Sequence, residues 1–564
     1  AAAWVRSQQS LTPDKPFFLY LSFGATHAPH HVPPEWSDKY KGKFDQGWDK
    51  VREETLARQK KLGVVPQDCQ LTERSEGIPA WADLTDDARK VAARLMEVYA
   101  GFAEHTDYYT GVFLDALEEM DVLDNTLVFY IAGDNGASAE GLISGSYNEM
   151  ITLNYLADSI ESVLAHYDDL GTVAAYNHYP VGWAHAMDCP YQWTKQVASH
   201  WGGTRNGMAV RWPKGFKAKG EVRSQWHHVI DLAPTILEAA KLPEPVQVHG
   251  VTQQPIEGVS LAYTFDDPKA ADRRVTQYFE MFGNRGIYHQ GWSAMTIHVV
   301  PFSKAPVTWE GDVWELYDGS TDWSQAVNVA EKYPEKLDEL QKLFLIEAGK
   351  YNVFPLDDRR TQLTNPEIAG RPDLLGGRTS MTFYPGMTQL LENTVPNVKN
   401  KSHTVTADIE APDKGNGVII AQGGRFGGWT LYMKDGVLKY CHNYVGLEEY
   451  QIAATEPLPA GRVTVQYKFT YDGGDPGSGG TGALYVNNKK VGEAQIEKTV
   501  PYTFSLDETL DIGCDLATPV TEDYAMGDNK FNGKVYSVIV DIGKSPVAYY
   551  EPPENIYNRL MANQ

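Results

Sequence analysis

Gly133-Asp134-Asn135-Gly136 stands where the apolar run from Thr126 to Ala132 stops. A buried parallel strand reads as such a continuous run, and open α/β sheets place their ligands just beyond the carboxyl ends of their strands. Asp134 and Asn135 are therefore expected at a sheet rim, where a carboxylate and an amide carbonyl offer hard oxygen donors for Ca2+ or Mg2+. The flanking glycines permit a sharp turn beside an ion. Asp, Asn and Gly are also the commonest turn formers, so a plain strand-ending turn stands beside the cation reading.

Two other stretches carry groups able to handle an anion. Thr26-His27-Ala28-Pro29-His30-His31 holds three histidines in five positions with no cysteine or carboxylate spacing beside them. His30 and His31 read as polar loop residues. His27 lies nearest the carboxyl end of the preceding apolar stretch, Pro16 to Phe23, and so on the same rim as Asp134. Lys195 precedes the Gly202-Gly203 pair and the apolar Met208–Pro213. Taken singly, a lysine is most often a solvated surface group. A second Gly527-Asp528-Asn529 has no apolar strand before it and reads as a turn.

The elements that must position these groups alternate between strand and helix. Strands are expected at 16–23, 126–132 and 208–213, and helices over 48–62, 86–120 and 229–240. The 86–120 segment carries Val91, Leu95, Val98, Phe102, Phe113 and Leu117 near helical spacing. Alternation of this kind predicts an α/β layer architecture over 1–275. Short strands and the helix from Pro334 then predict a small α+β subdomain over 276–355. A Pro- and Asn-containing connector spans 356–378, and alternating strands separated by turns such as Lys434-Asp435-Gly436 predict an all-β jelly-roll sandwich over 379–564.

Composition limits the function classes. Fifty basic residues against 74 acidic ones leave a net charge of −24, which lacks the basic surface that nucleic-acid binding needs. An anionic substrate must then be held by a local positive site or a metal. Four cysteines, at 69, 189, 441 and 514, show neither CxxC spacing nor a disulfide framework. No apolar run approaches the roughly 18 residues of a membrane span, and the first residues do not read as a signal peptide.

Five motifs occur in one order: His27-Ala-Pro-His-His-Val-Pro33, Leu123-Asp-Asn-Thr126, Gly133-Asp-Asn-Gly136, Lys195 before Gly202-Gly203, and Asp231-Leu-Ala-Pro-Thr-Ile-Leu237. Over about residues 14–355 this set resembles the sulfatases, most of all the bacterial arylsulfatases of the alkaline-phosphatase-like α/β fold. The resemblance implies hydrolysis of a small sulfate ester. It implies that Asp134 and Asn135 are ligands of a divalent cation, most commonly Ca2+ with Mg2+ as the alternative. It implies that His27 contacts the sulfate and leaving-group oxygen, and that Lys195 neutralises the sulfate. A cation, an ammonium and an imidazole placed at a leaving oxygen stabilise the negative charge that develops there.

The sequence departs from that family at the nucleophile. Sulfatases use a formylglycine made from Cys or Ser in Cys/Ser-x-Pro/Ala-x-Arg, and no cysteine or serine of residues 1–564 stands in that motif. The family's Asp-Asp ligand pair and Lys-x-His element are absent too. All three lie upstream in the family, so the expectation is an N-terminally truncated sulfatase, inactive alone. The alternatives are a non-catalytic carbohydrate-binding protein on a sulfatase remnant and a phosphate or phosphonate ester hydrolase of the same superfamily. The β region resembles lectin-like or laminin-G-like domains, which implies either a carbohydrate partner or a structural appendage.

Overall fold

The computed structural model describes residues 1–156, 158–303, 307–360, 363 and 375–543. Parts of the expected 356–378 connector, residues 361–362 and 364–374, lie outside the described residues, as does 544–564 of the expected β region. The chain divides into two units. One comprises Ala1–Gly145 and Ile160–Asp358, and the other Ser146–Ser159 with the described residues from Arg359 onward.

In the first unit the longest element is the helix Asp86–Glu119. The Thr85 side chain accepts from Ala88 N at its start, and Asp86 and Asp87 in the first turn suit the positive end of the helix dipole. Its stripe of Val91, Leu95, Val98, Phe102 and Leu117 is buried, as the helical spacing predicts. The predicted helix at 48–62 forms as Gly47–Leu62, and the one at 229–240 as a 3-10 turn, Val229–Asp231, continuing into Leu232–Ala239.

The strand before Asp134 is present as Val128–Ile131, but its pairing differs from the expectation. It runs antiparallel to Met208–Arg211, and the two make a two-stranded sheet. Nor is it buried on both faces: Tyr130 and Ile131 are each 39% exposed. One side of the apolar run packs against Leu117, Leu123 and Val5, and Phe17 and Leu19 join that cluster. Residues 16–22 alternate between exposed and half-buried as a strand would, yet 16–23 join no sheet among the described residues. Continuous apolarity therefore marked a strand without specifying its partners.

A four-stranded antiparallel sheet follows, in the order Thr276–Met281, Asn284–His289, Trp292–Thr296, Trp314–Asp318. The helix Pro334–Lys350 lays Leu340, Phe344 and Ala348 on Ile287, Ala294 and Leu316. This is the predicted α+β element.

Beyond residue 379 the described residues of the second unit form strands and their connections, with one short 3-10 turn at Glu392–Thr394. Six strands pair in the order Lys489–Lys498, Ser478–Val486, Gly461–Tyr471, His403–Ala411, Lys534–Ile542, Ser380–Phe383. Five more pair as Glu448–Ala453, Val437–Tyr444, Gly427–Lys434, Gly417–Gly424, Leu510–Ile512. Among the described residues every pairing between these strands is antiparallel. Tyr440 of one sheet stacks on Tyr467 of the other with ring centroids 3.6 Å apart, so the sheets face each other over a shared core. Lys434-Asp435-Gly436 forms the tight hairpin its sequence predicts, and Gly527 lies in a turn closed by the Ala525–Asp528 bridge, while Asn529 is buried and accepts from Asp515 N.

Candidate functional site

The loop 133–140 and the segment 192–203, which runs into the short helix Trp201–Thr204, are 66 residues apart between Gly136 and Gly202 but are joined backbone to backbone. Gly136 N donates to Gly203 O (3.0 Å) and Lys195 N donates to Ala137 O (3.0 Å). A Cβ on Gly136 would lie 1.8 Å from Gly202 O, so only glycine allows this approach. Ala137 N donates to Asp188 Oδ1 (2.8 Å) and Ser138 N to the Tyr179 hydroxyl (3.2 Å), which anchors the first loop to the interior. Burial pushes the Asp188 carboxyl well above its ordinary value, against the lowering effect of the Ala137 N–H.

Lys195 is brought to His27 by this arrangement. Its Nζ lies 3.5 Å from His27 Nε2, although 168 residues separate them in sequence. His27 Nδ1 is 2.9 Å from Ala28 O; a carbonyl only accepts, so Nδ1 carries a hydrogen, and Nε2 is the ring atom that faces Lys195. The His27 side chain is 52% exposed and that of Lys195 18%, so Lys195 is not the solvated surface group that a lysine taken singly suggests.

Glu140 closes the group, and sequence reading missed it. Its Oε2 accepts from Lys195 Nζ (3.0 Å) and Ser138 Oγ (2.7 Å) and lies 4.0 Å from His27 Nε2; its Oε1 accepts from Gln196 Nε2 (3.0 Å). Burial acts to raise the Glu140 carboxyl, but the Lys195 ammonium and the Ser138 hydroxyl outweigh it and hold the group below its ordinary value. His178 is buried, and burial pushes it down to about 4, so it stands neutral. The one sequence signal for Glu140 was an acid six residues after Asp134 in a Gly- and Ala-rich loop.

Asp134 and Asn135 sit at the head of the same loop, following Gly133 at φ +95°. Asn135 Nδ2 donates to Asp134 Oδ1 at 2.8 Å, so the carboxylate and the amide are side by side. The Asn206 amide, oriented so that both bonds form, donates to Asn135 O (2.9 Å) and accepts from Asn135 N (3.0 Å), which fixes the backbone there. A carboxylate and an amide oxygen on a pinned loop fit part of an oxygen-ligated divalent cation site.

His30 departs from the reading as a polar loop residue. It is 1% exposed and packs its ring against Tyr99, Phe102, His178 and Tyr179, where burial and nearby histidines lower its basicity. His31 Nε2 lies 2.6 Å from Ala175 O. The histidine run thus divides into one site-facing and two structural residues.

Asp231 of the fifth motif is fully buried, gripped by Arg274 through Nε (2.9 Å) and Nη2 (2.5 Å), with Val259 N (2.7 Å) and His228 N (3.0 Å) also donating. It is a structural ion pair that ties the helix Leu232–Ala239 to the 257–274 segment.

Residues 3–242 match the sulfatase family model, and residues 193–345 match the model of the N-sulphoglucosamine sulphohydrolase C-terminal region. The chain belongs to the sulfatase family. Within curated sulfatases it is similar to an uncharacterized sulfatase of Schizosaccharomyces pombe, 30% identical over 349 residues, covering 61% of this chain and 59% of that protein. It is also similar to an arylsulfatase of Klebsiella aerogenes, 29% identical over 260 residues, covering 46% of this chain and 53% of that protein. The chain thus spans between half and three fifths of the length of these relatives. A solved Bacteroides thetaiotaomicron structure, described in the context of glycosaminoglycan metabolism, aligns at 18% identity with a TM-score of 0.34, covering 62% of this sulfatase chain and 53% of its own.

Proposed function

We propose that this chain carries the anion-binding part of an arylsulfatase-type sulfuric ester hydrolase. The observation that supports this reading is the convergence of Lys195 Nζ and His27 Nε2, 3.5 Å apart, from distant loops. In this reading Lys195 neutralises the sulfate and His27 addresses the ester oxygen. With Nδ1–H committed to Ala28 O, protonation of His27 falls on Nε2, the atom able to give the leaving oxygen its proton. Asp134 and Asn135 would hold a divalent cation, Ca2+ before Mg2+. That ion would supply Lewis-acid stabilisation of the charge developing on sulfate.

Because no residue of 1–564 stands in the formylglycine motif, the chain by itself is proposed to bind a sulfate ester without cleaving it. The division into 1–275, 276–355 and 379–564 is proposed as the domain plan, with the last part a structural appendage or a carbohydrate-binding module. The test is calorimetric titration of the purified chain with 4-nitrophenyl sulfate, with absorbance followed for release of nitrophenolate. Binding that K195A weakens, without release, supports the reading. Release by the chain alone contradicts the non-cleaving part, and binding indifferent to K195A contradicts the site.

A further inference from the structure

We propose that Glu140 sets the charge selectivity of this anion site, favouring a monoanionic sulfate ester over a dianionic phosphate ester. The inference rests on Lys195 and His27 being the anion's contacts. A sulfate monoester carries one negative charge at every pH of interest, whereas a phosphate monoester has a second ionisation near pH 6 and carries two above it. A site meets this difference only through the charges it holds nearby.

Glu140 is built to be such a charge. Ser138 Oγ, Lys195 Nζ and Gln196 Nε2 all point at its carboxylate, so its position is fixed at both oxygens. Its Oε2 is 4.0 Å from His27 Nε2. An anion oxygen accepting from Lys195 Nζ at ~2.9 Å therefore lies within about 6 Å of a fixed negative charge, since Glu140 Oε2 is 3.0 Å from the same Nζ. At that range in a partly buried site, one further unit of like charge changes affinity by roughly tenfold. The ammonium of Lys195 is shared with Glu140 rather than left wholly to the ligand, and neutral His178 behind it adds no compensating charge. The pair Lys195–Glu140 thus presents little net charge, enough to orient one negative charge and poor at balancing two.

The experiment measures affinities of the full chain for 4-nitrophenyl sulfate and 4-nitrophenyl phosphate by calorimetry at pH 8. Wild type, E140Q, E140D and K195A are compared after circular dichroism shows native structure. The expected result is a wild-type preference for the sulfate that E140Q shifts about tenfold toward the phosphate, while E140D retains it. In the unmodified chain the preference should also collapse at pH 5, where the phosphate ester becomes monoanionic, a readout that needs no variant. If K195A weakens both ligands but E140Q leaves their ratio unmoved and the pH 5 ratio equals that at pH 8, the role of Glu140 is overturned and the anion site stands. If wild type binds neither ligand, or K195A weakens neither, the anion-site reading fails and the inference with it.

Discussion

Gly136 and Gly202 are in backbone contact, with the position of a Cβ on Gly136 only 1.8 Å from Gly202 O. This contact brings two separate sequence motifs together, because Lys195 is carried on the loop that leads into the short helix Trp201–Thr204, which holds Gly202. Replacing Gly136 by alanine must push the loops apart. The expected cost is about 2 kcal/mol or more, in the range of overpacked cores. Urea unfolding of G136A measures it, and a midpoint equal to wild type would show that the approach is not needed.

The buried pair of Asp231 and Arg274 gives a second expectation. Burial acts to raise the Asp231 carboxyl, but hydrogen bonds from His227, Arg274 and two backbone N–H groups outweigh it and hold the group well below its ordinary value. A depressed folded-state value stabilises the fold above the unfolded value near pH 4, and that stability is lost as pH falls below it. D231N leaves the Arg274 charge buried without its partner, so a loss of about 3–5 kcal/mol is expected. Thermal melts of the variant at pH 7 that match wild type would contradict this.

In the all-β unit, burial pushes His403 down to about 4 and His442 down to about 3. Val500 N donates to His442 Nε2 (3.3 Å), a bond that requires the neutral ring. These histidines contribute stability in full above pH 6.5, and it is lost as pH falls from there through about 4. Asp515 has the opposite sign: burial pushes it up to about 7, so its contribution is lost as pH rises through that value. H442Q, whose amide oxygen still accepts from Val500, should flatten the melting-temperature profile between pH 6.5 and 4. An unchanged slope would assign the acid sensitivity elsewhere.

Much of this was legible in the sequence where local physics decides. The 86–119 helix followed from its apolar spacing, and the hairpin at Asp435-Gly436 from its turn residues. What failed to show was the identity of partners. The apolar run before Asp134 does not say that Val128–Ile131 pairs antiparallel with Met208–Arg211, since apolarity reports burial and not register. Lys195 taken singly reads as a surface residue, because the burial that surrounds it comes from loops remote in sequence. Glu140 was invisible for the same reason, as its meaning depends on Lys195 being 3.0 Å away. His30 carried no sign that Tyr99, Phe102, His178 and Tyr179 would enclose it.

The proposed cation ligands are open to direct titration. Two protein oxygens give a weak site, so Ca2+ is expected to bind the chain with a dissociation constant on the order of millimolar. D134A should abolish that binding. Calorimetry with calcium chloride that shows equal binding by D134A would remove Asp134 from the metal site.

The central claim is that Lys195 and His27 act on one anion. A double-mutant cycle on the affinity for 4-nitrophenyl sulfate tests it, using wild type, K195A, H27A and the double variant. Each single substitution should weaken binding at least fivefold, and the double should weaken it by less than the product of the two, a coupling of about 1 kcal/mol. Affinity unchanged by either substitution, or two losses that simply multiply, would contradict the account.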